Sequence, residues 1–420
     1  MSSNCGTGKF RRTRRLKLIQ GVVLIPLLAI VVTFPRLGFA GGQGPSKTDV
    51  SGYAKSLNFF TETSGILPEQ VDAPLVRAEE GEHVFNSLER LRFKVRSVYE
   101  ISEAKSFSAK IDYDHQAYFG TFVSTGDFRV AEKQSEDRQF LDLSQTLAEE
   151  DNTFYVHRLY RATLAYETNL FQWEIGRQQI PWGVCYFFTP TDLFNPFNPT
   201  QIEPEERDGV DAVSVIGKNM KGYKIQAVYT PRGRQLHPQR YFARISRDVL
   251  GYEAGLLGGR VSRDYAAGVD LAGNLKGSAL RGEVLYREAD LEKDFFQFTV
   301  NADYNFPHNV HALLEYHFNG EGRRRPRDYQ RDRWIRGEIR ELSKNYLAFV
   351  LGHDVTPLLR IENRALLNLN DASLFIRPEI RYELRSNLLL TAGAQLFLGE
   401  NVDEFGQPKN LYLTEVKYSF

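Results

Sequence analysis

Residues Leu411–Phe420, LYLTEVKYSF, alternate without a break and end on an aromatic. Tyr412, Thr414, Val416, Tyr418 and Phe420 fall on one face of a strand, and Leu413, Glu415, Lys417 and Ser419 on the other. A chain that stops in mid-strand leaves that edge uncovered, so the strand must pair, and closing a barrel is one way to do it. A barrel requires that the rest of the chain supply segments of about ten residues that are apolar on one face only.

Such segments recur. Phe296, Phe298, Val300, Ala302, Tyr304 and Phe306 alternate with Gln297, Thr299, Asn301, Asp303 and Asn305, and after Pro307-His308-Asn309 the pattern resumes from Val310 to Asn319. Leu374 to Arg385 and Leu388 to Leu398 form a second hairpin of the same kind. The strands of a soluble sandwich average five or six residues, whereas about ten are needed to cross a bilayer at a tilt. The pattern predicts an all-β transmembrane antiparallel barrel of eighteen strands, or sixteen if the weak segments 49–61 and 239–247 are not strands. Tight turns near 101–104, 168–169, 307–309 and 386 are expected at the periplasmic end, and segments 62–86, 120–152, 183–208, 320–344 and 399–409 as extracellular loops.

The amino terminus fits the same destination. Lys9, Arg11, Arg12, Arg14, Arg15 and Lys17 precede an apolar run, Leu18 to Phe34, and Gly38-Phe39-Ala40 forms a small-x-small site, so residues 1–40 read as a signal peptide. A short linker, 41–48, and a single barrel domain, 49–420, follow. Removing residues 1–40 takes away seven bases and no acids, which leaves 53 − 7 = 46 bases against 53 acids, a net charge of −7. It also leaves Cys185 as the lone cysteine, expected to be buried and inert.

The face opposite lipid must carry the function. On the second strand Leu91, Phe93 and Val95 face outward, which sets Arg90, Arg92, Lys94 and Arg96 in a row facing inward. Arg281, Arg287, Arg360, Arg364, Arg377, Arg381 and Arg385 continue the theme, accompanied by Asp112, Asp114, Glu283, Glu315, Glu362, Glu379 and Glu383. So many charges cannot be desolvated together, so a water-filled lumen is expected, either mixed and nonselective or anion-preferring. Loop 320–344 holds eight arginines with Tyr329 and Trp334, a nucleic-acid-like composition. On a cell surface it is expected to meet lipopolysaccharide phosphates, to line the pore mouth, or to stay solvated, and no nucleic-acid partner is expected. Catalysis is not expected. In Asp112-Tyr113-Asp114-His115 alternation sends the histidine to lipid and the acids inward, and the sequence has no metal-ligand, nucleotide-loop or C-x-x-C motif that calls for a cofactor.

The terminal strand ending at Phe420 resembles the last strand of Gram-negative outer-membrane β-barrels, which implies recognition by the barrel-assembly machinery and residence among outer-membrane lipids and lipopolysaccharide. Gly176-Arg177-Gln178-Gln179-Ile180-Pro181-Trp182-Gly183, then Thr191-Asp192-Leu193-Phe194-Asn195-Pro196, then Arg207-Asp208-Gly209-Val210-Asp211, form a more specific succession. It is similar to that of alginate-export-type porins and related uncharacterised proteobacterial porins over residues 170–215. The similarity implies a strand that runs into a loop folding near or into the pore, with Asp192 and Asn195 tying the loop down and Arg207 pairing with Asp192. The competing reading is that Asx and proline chemistry merely holds a turn there. The function expected is an outer-membrane channel for passive diffusion of small hydrophilic solutes. The alternatives are an exporter of an acidic polysaccharide and a plugged structural or surface-assembly barrel.

Overall fold

The structure is a computed structural model that describes residues 46–63, 81–128, 131–132, 139–203, 207–233, 238–290, 293–335 and 338–420. The expected signal peptide lies outside these residues, as do Glu69, Asp72, Glu79 and Glu80 of segment 62–86. In chain order the strands are β1 (Ser46–Glu62), β2 (His83–Ser102), β3 (Lys105–Phe119), β4 (Ser144–Glu150), β5 (Thr153–Thr168), β6 (Phe171–Gln178), β7 (Val210–Met220), β8 (Tyr223–Thr230), β9 (Arg240–Val249) and β10 (Tyr252–Val261). They continue as β11 (Asp264–Leu275), β12 (Ser278–Glu288), β13 (Phe295–Phe306), β14 (Val310–Asn319), β15 (Asn345–Thr356), β16 (Leu359–Asn368), β17 (Leu374–Arg385), β18 (Leu388–Leu398) and β19 (Leu411–Ser419). β1 starts inside the segment expected to be a linker.

Each strand pairs antiparallel with its neighbours, and β19 returns to β1 with Tyr53 opposite Ser419 and Thr61 opposite Leu411, which closes the sheet. Eighteen strands make the wall, and both weak segments are among them as β1 and β9. β4 is the exception. It pairs only with the upper part of β5, so segment 120–152 is not wholly loop.

Side-chain alternation follows the closure. Phe296, Val300, Leu314, Leu351 and Tyr412 are exposed on the outer surface, where a lipid belt needs apolar side chains. Most of the short connections fall at one end, whereas the two-residue turn Ser262-Arg263 between β10 and β11 lies at the other. Lys221-Gly222, Leu250-Gly251 and Lys276-Gly277 have positive φ at both residues, the geometry of the two-residue turns that suit twisted hairpins. Strand length is uneven around the wall: β1, β2, β3 and β5 run 15 to 20 residues, while β6 and β8 have 8.

Part of the inner wall is apolar and packed over. Ile180, Trp182 and Phe194 pack on inward residues of β7 to β12, including Val228, Phe242, Leu257 and Leu285. Phe187 and Phe188 pack on Leu313, Tyr346, Val350, Leu366 and Phe375 of β14 to β17. The inner wall thus has apolar sectors, each covered by the segment that follows β6.

Candidate functional site: the lumen and its internal loop

The turn into the lumen begins where β6 stops. Gly176 has φ 123°, and a Cβ there would lie 2.1 Å from the Ala162 carbonyl oxygen, so only glycine fits this position. Beyond it Pro181 offers no N–H for a ladder, and the Ile180 N–H donates to Asn195 Oδ1 at 2.6 Å. The strand expected over 170–182 therefore ends at Gln178.

From there the described residues 179–203 run around the inner wall. Trp182 Nε1 donates to Gln226 on β8 at 2.9 Å. The N–H groups of Val184 and Cys185 reach Glu283 on β12, and those of Tyr186, Phe187 and Phe188 reach Glu315 on β14. Arg377 on β17 donates to the carbonyls of Gln201 and Ile202 at 2.9 and 3.0 Å, and Gln395 on β18 to that of Thr200 at 3.2 Å. Glu203 takes a bidentate pair from Arg90 on β2, 2.9 and 2.8 Å, and a further bond from Lys55 on β1. Burial alone would raise the Glu203 carboxyl, but the Arg90 and Lys55 cations outweigh it and hold it down to about 2. Tyr160 on β5 donates to the Arg207 carbonyl at 2.5 Å. The chain then rejoins the wall at β7, having touched it all the way round.

Within the loop, Asn195 N–H donates to Asp192 Oδ1 at 2.9 Å and Asn195 Nδ2 to the Asp208 carbonyl at 2.5 Å, which links the loop's middle to its end. Arg207 Nη1 stands 3.5 Å from Asp192 Oδ2. Asp192 is fully buried, and that burial raises its carboxyl.

The predicted inward charges divide into two groups. Arg90 and Arg92 are 5% and 3% exposed, Arg90 bound to Glu203 and Arg92 to Asp114 at 2.5 and 2.6 Å. Asp112 is buried and Glu283 lies beneath the loop. Arg281 pairs with Asp303 at 2.7 Å, Arg360 and Arg364 share Glu362 at 2.7 Å each, and Arg377 and Arg381 share Glu379. More accessible positions lie toward the short-turn end: Lys94 is half-buried, and Arg96 and Arg385 are exposed. Asp49 stands directly across the ladder from Arg96, so this region is basic but not uniformly so. Lys94 and Lys417 both approach the Tyr53 ring, at 5.6 and 4.7 Å.

Other segments cover the mouth. Phe122 meets Phe59 edge-on at 5.2 Å and Phe128 meets Phe154 at 5.4 Å, so residues 121–128 fold in at the rim. Over β15 to β18, Glu404 accepts from Tyr346 at 2.6 Å, Asn368 at 2.8 Å and the Leu342 N–H at 3.0 Å. Burial pushes the Glu404 carboxyl up to about 8. Several arginines of loop 320–344 are spent internally: Arg331 on Gln407 and Val402, Arg333 on Glu321 and Glu338, Arg340 on the Asp192 carbonyl. Arg324, Arg325 and Arg327 are exposed. The acid and histidine combination near residue 112 is not assembled, because His115 bonds Tyr155 on the outer face, away from the inward Asp112 and Asp114.

Sequence reading missed one functional pair. Arg177 and Asp211 meet at 3.0 Å where β6 leaves the wall and β4 takes its place beside β5. Arg177 also donates to the carbonyls of Leu141 and Leu159, at 2.6 and 3.2 Å, and Asp211 accepts from the N–H groups of Phe140 and Leu141. These side chains supply the hydrogen bonds that a continuous ladder would have made. The signal was present in the Gly176-Arg177 and Val210-Asp211 dipeptides, but nothing in a strand pattern tells a seam residue from a lumen residue.

No family model matches the chain, and no curated protein does either. Among solved structures, Pseudomonas aeruginosa OccK8 (OprE) superposes with a TM-score of 0.53 at 9% identity, over 89% of this chain and 98% of that one. Pseudomonas aeruginosa OccK5 (OpdH) and the outer membrane protein opdK of the same organism each give 0.54, also at 9% identity and with the same shares of the two chains. The fold is that of an outer-membrane porin. At this identity the likeness is one of architecture, and the contacts of the internal loop are this chain's own.

Proposed function

We propose that the protein is a passive diffusion channel of the Gram-negative outer membrane, delivered there by the 1–40 leader, through which small hydrophilic solutes pass a loop-narrowed and partly basic lumen. The observation that carries this reading is the internal loop. A wall of eighteen strands encloses a wide aqueous channel unless something narrows it, and residues 179–203 are fastened inside at one level after another. Lys94, Arg96 and Lys417 near the short-turn end favour anions over cations, because low-dielectric walls focus their field.

The test is the reversal potential of single channels in a KCl gradient. Changing Lys94 and Arg96 to Glu is expected to move it toward cation preference, more at 0.1 M salt than at 1 M, as the Debye length falls from about 10 to about 3 Å. Arg92 is left alone because its pair with Asp114 is buried. An unchanged potential in folded protein would show that Asp49 and its neighbours already cancel the basic field.

The same recordings address the finer readings. Kinship with alginate-export-type porins draws on the 176–211 succession, which in this fold directs the chain inward, and an exporter of acidic polysaccharide would be blocked reversibly by an oligouronate. Absence of conductance would favour a plugged structural barrel, to which the apolar packing under the loop also lends support. Exposed Arg324, Arg325 and Arg327 suit lipopolysaccharide phosphates.

Phe420 suits recognition by the assembly machinery. Its backbone pairs both ways with Gly52, at 2.8 and 3.0 Å, and its ring meets Phe93 at 6.1 Å. Deleting Phe420 is expected to leave the protein in the periplasm; normal insertion, scored by protease protection in outer-membrane fractions, would exclude that role.

A further inference from the structure

Five consecutive backbone amides of the internal loop point at two wall carboxylates. Glu283 Oε1 accepts from Val184 and Cys185 N–H at 2.6 and 2.7 Å, and its Oε2 accepts from Thr191 N–H and Oγ1 at 2.9 and 2.7 Å. Glu315 Oε1 accepts from Phe187 and Phe188 N–H at 3.0 and 2.7 Å, and its Oε2 accepts from Tyr186 N–H and Asn301 Nδ2, both at 2.8 Å. Glu283 is 1% exposed and Glu315 0%. Neither forms an ion pair with a cation among the described residues, so loop donors and Asn301 alone balance two buried charges. Elsewhere in the lumen arginines do the holding, on Gln201, Ile202 and Glu203.

We propose that Glu283 and Glu315 are positioning residues that clamp the loop segment 184–191 against the wall and thereby set the bore of the channel. The proposal rests on the channel reading above and identifies which side chains give that channel its width. An ionised carboxylate has about four acceptor positions and no donor, which suits the four donors around Glu283. Glutamine is nearly the same size but turns one oxygen into an NH2 group, which would face N–H or O–H donors at hydrogen-bond distance. The segment should then lift away, because its amides regain partners in water and the substituted side chain cannot hold them.

Cys185 lies inside the clamp and reports on it. The residue is 8% exposed, and burial, helped by Glu283 and Glu315, pushes its thiol well above the ordinary thiol range. Release of the segment would expose the thiol and return it to ordinary reactivity.

The experiment compares folded wild-type protein in detergent with the E283Q/E315Q variant, using a small charged methanethiosulfonate as the probe of Cys185. Folding is scored by heat-modifiable electrophoretic mobility. Labelling is expected to be at least about tenfold faster in the variant, as for a locally opened segment, and single-channel conductance should rise and become noisier. Labelling as slow as wild type, with unchanged conductance, would overturn the proposal. A second comparison covers a variant that does not fold: residues 184–191 are replaced by a short Gly-Ser linker, with and without the two Gln substitutions. A clamp has nothing left to hold there, so the substitutions should be tolerated and leave conductance unchanged. If they still prevent folding, the carboxylates serve the barrel itself; if they still shift conductance, they act as pore charges; either result refutes the clamp. Cys185 labelling needs no ion flow, so it stands or falls separately from the channel reading.

Discussion

Replacing residues 183–208 by a linker just long enough to join β6 to β7 is expected to raise single-channel conductance by about twofold or more, since a barrel of this strand number otherwise leaves an open aqueous passage. The loop fills the lumen from several directions: its aromatic part covers β14 to β17, and its later part spans β17, β18, β1 and β2. Removing it exposes Leu313, Val350, Leu366 and Phe375 to water, so the shortened barrel should also be less heat-stable. By contrast, the described part of segment 120–152 lies at the rim and in the wall, and deleting residues 121–128 should change conductance less. Conductance unchanged by the longer deletion would mean that the mouth cover, not the internal loop, limits flow.

Breaking the seam is expected to damage the barrel more than breaking any exposed pair. Arg177 is 1% exposed and Asp211 4%, and loss of one partner of a buried pair commonly costs about 3–5 kcal/mol. R177M should therefore unfold at markedly lower temperature or denaturant concentration than wild type. The double variant R177M/D211L separates two explanations. If the two residues were only an ion pair, replacing both with apolar side chains would restore much of the loss. Here the carbonyls of Leu141 and Leu159 and the N–H groups of Phe140 and Leu141 would lose their partners, at about 1–3 kcal/mol each. The double variant should stay close to the single one; recovery would reduce the seam to a simple charge pair.

The wall was legible because its physics is local. Each strand states its two faces residue by residue, and Phe296 to Phe306 or Leu374 to Arg385 can be read without knowing any partner. The interior was legible only as a list of inward charges. Whether Glu283 borders water or holds a loop depends on Val184 and Thr191, 99 and 92 residues away, and alternation is silent about such distances. Arg90 and Arg92 sit on the same face as Lys94 and Arg96, yet the first two are covered by Glu203 and Asp114. β4 escaped notice for a related reason. SQTLAEE carries a strand's alternation over too few residues and with too many acids, and its existence depends on β6 leaving the wall early.

The circuit of the internal loop has a consequence for the order of assembly. Its later half bridges the joint between the first and last strands: Lys55 and Arg90 hold Glu203 on one side of that joint, and Arg377 and Gln395 hold Thr200 to Ile202 on the other. Some of these contacts link residues 113 to 195 positions apart, so they cannot all be satisfied while β1 and β19 are still separate. The loop is therefore a latch thrown from within after the sheet has met itself. A barrel whose ends have not joined would leave residues 200–203 unfastened, while the segment around Cys185, held by β12 and β14 alone, needs no closure, so the two halves of the loop are fastened at different stages.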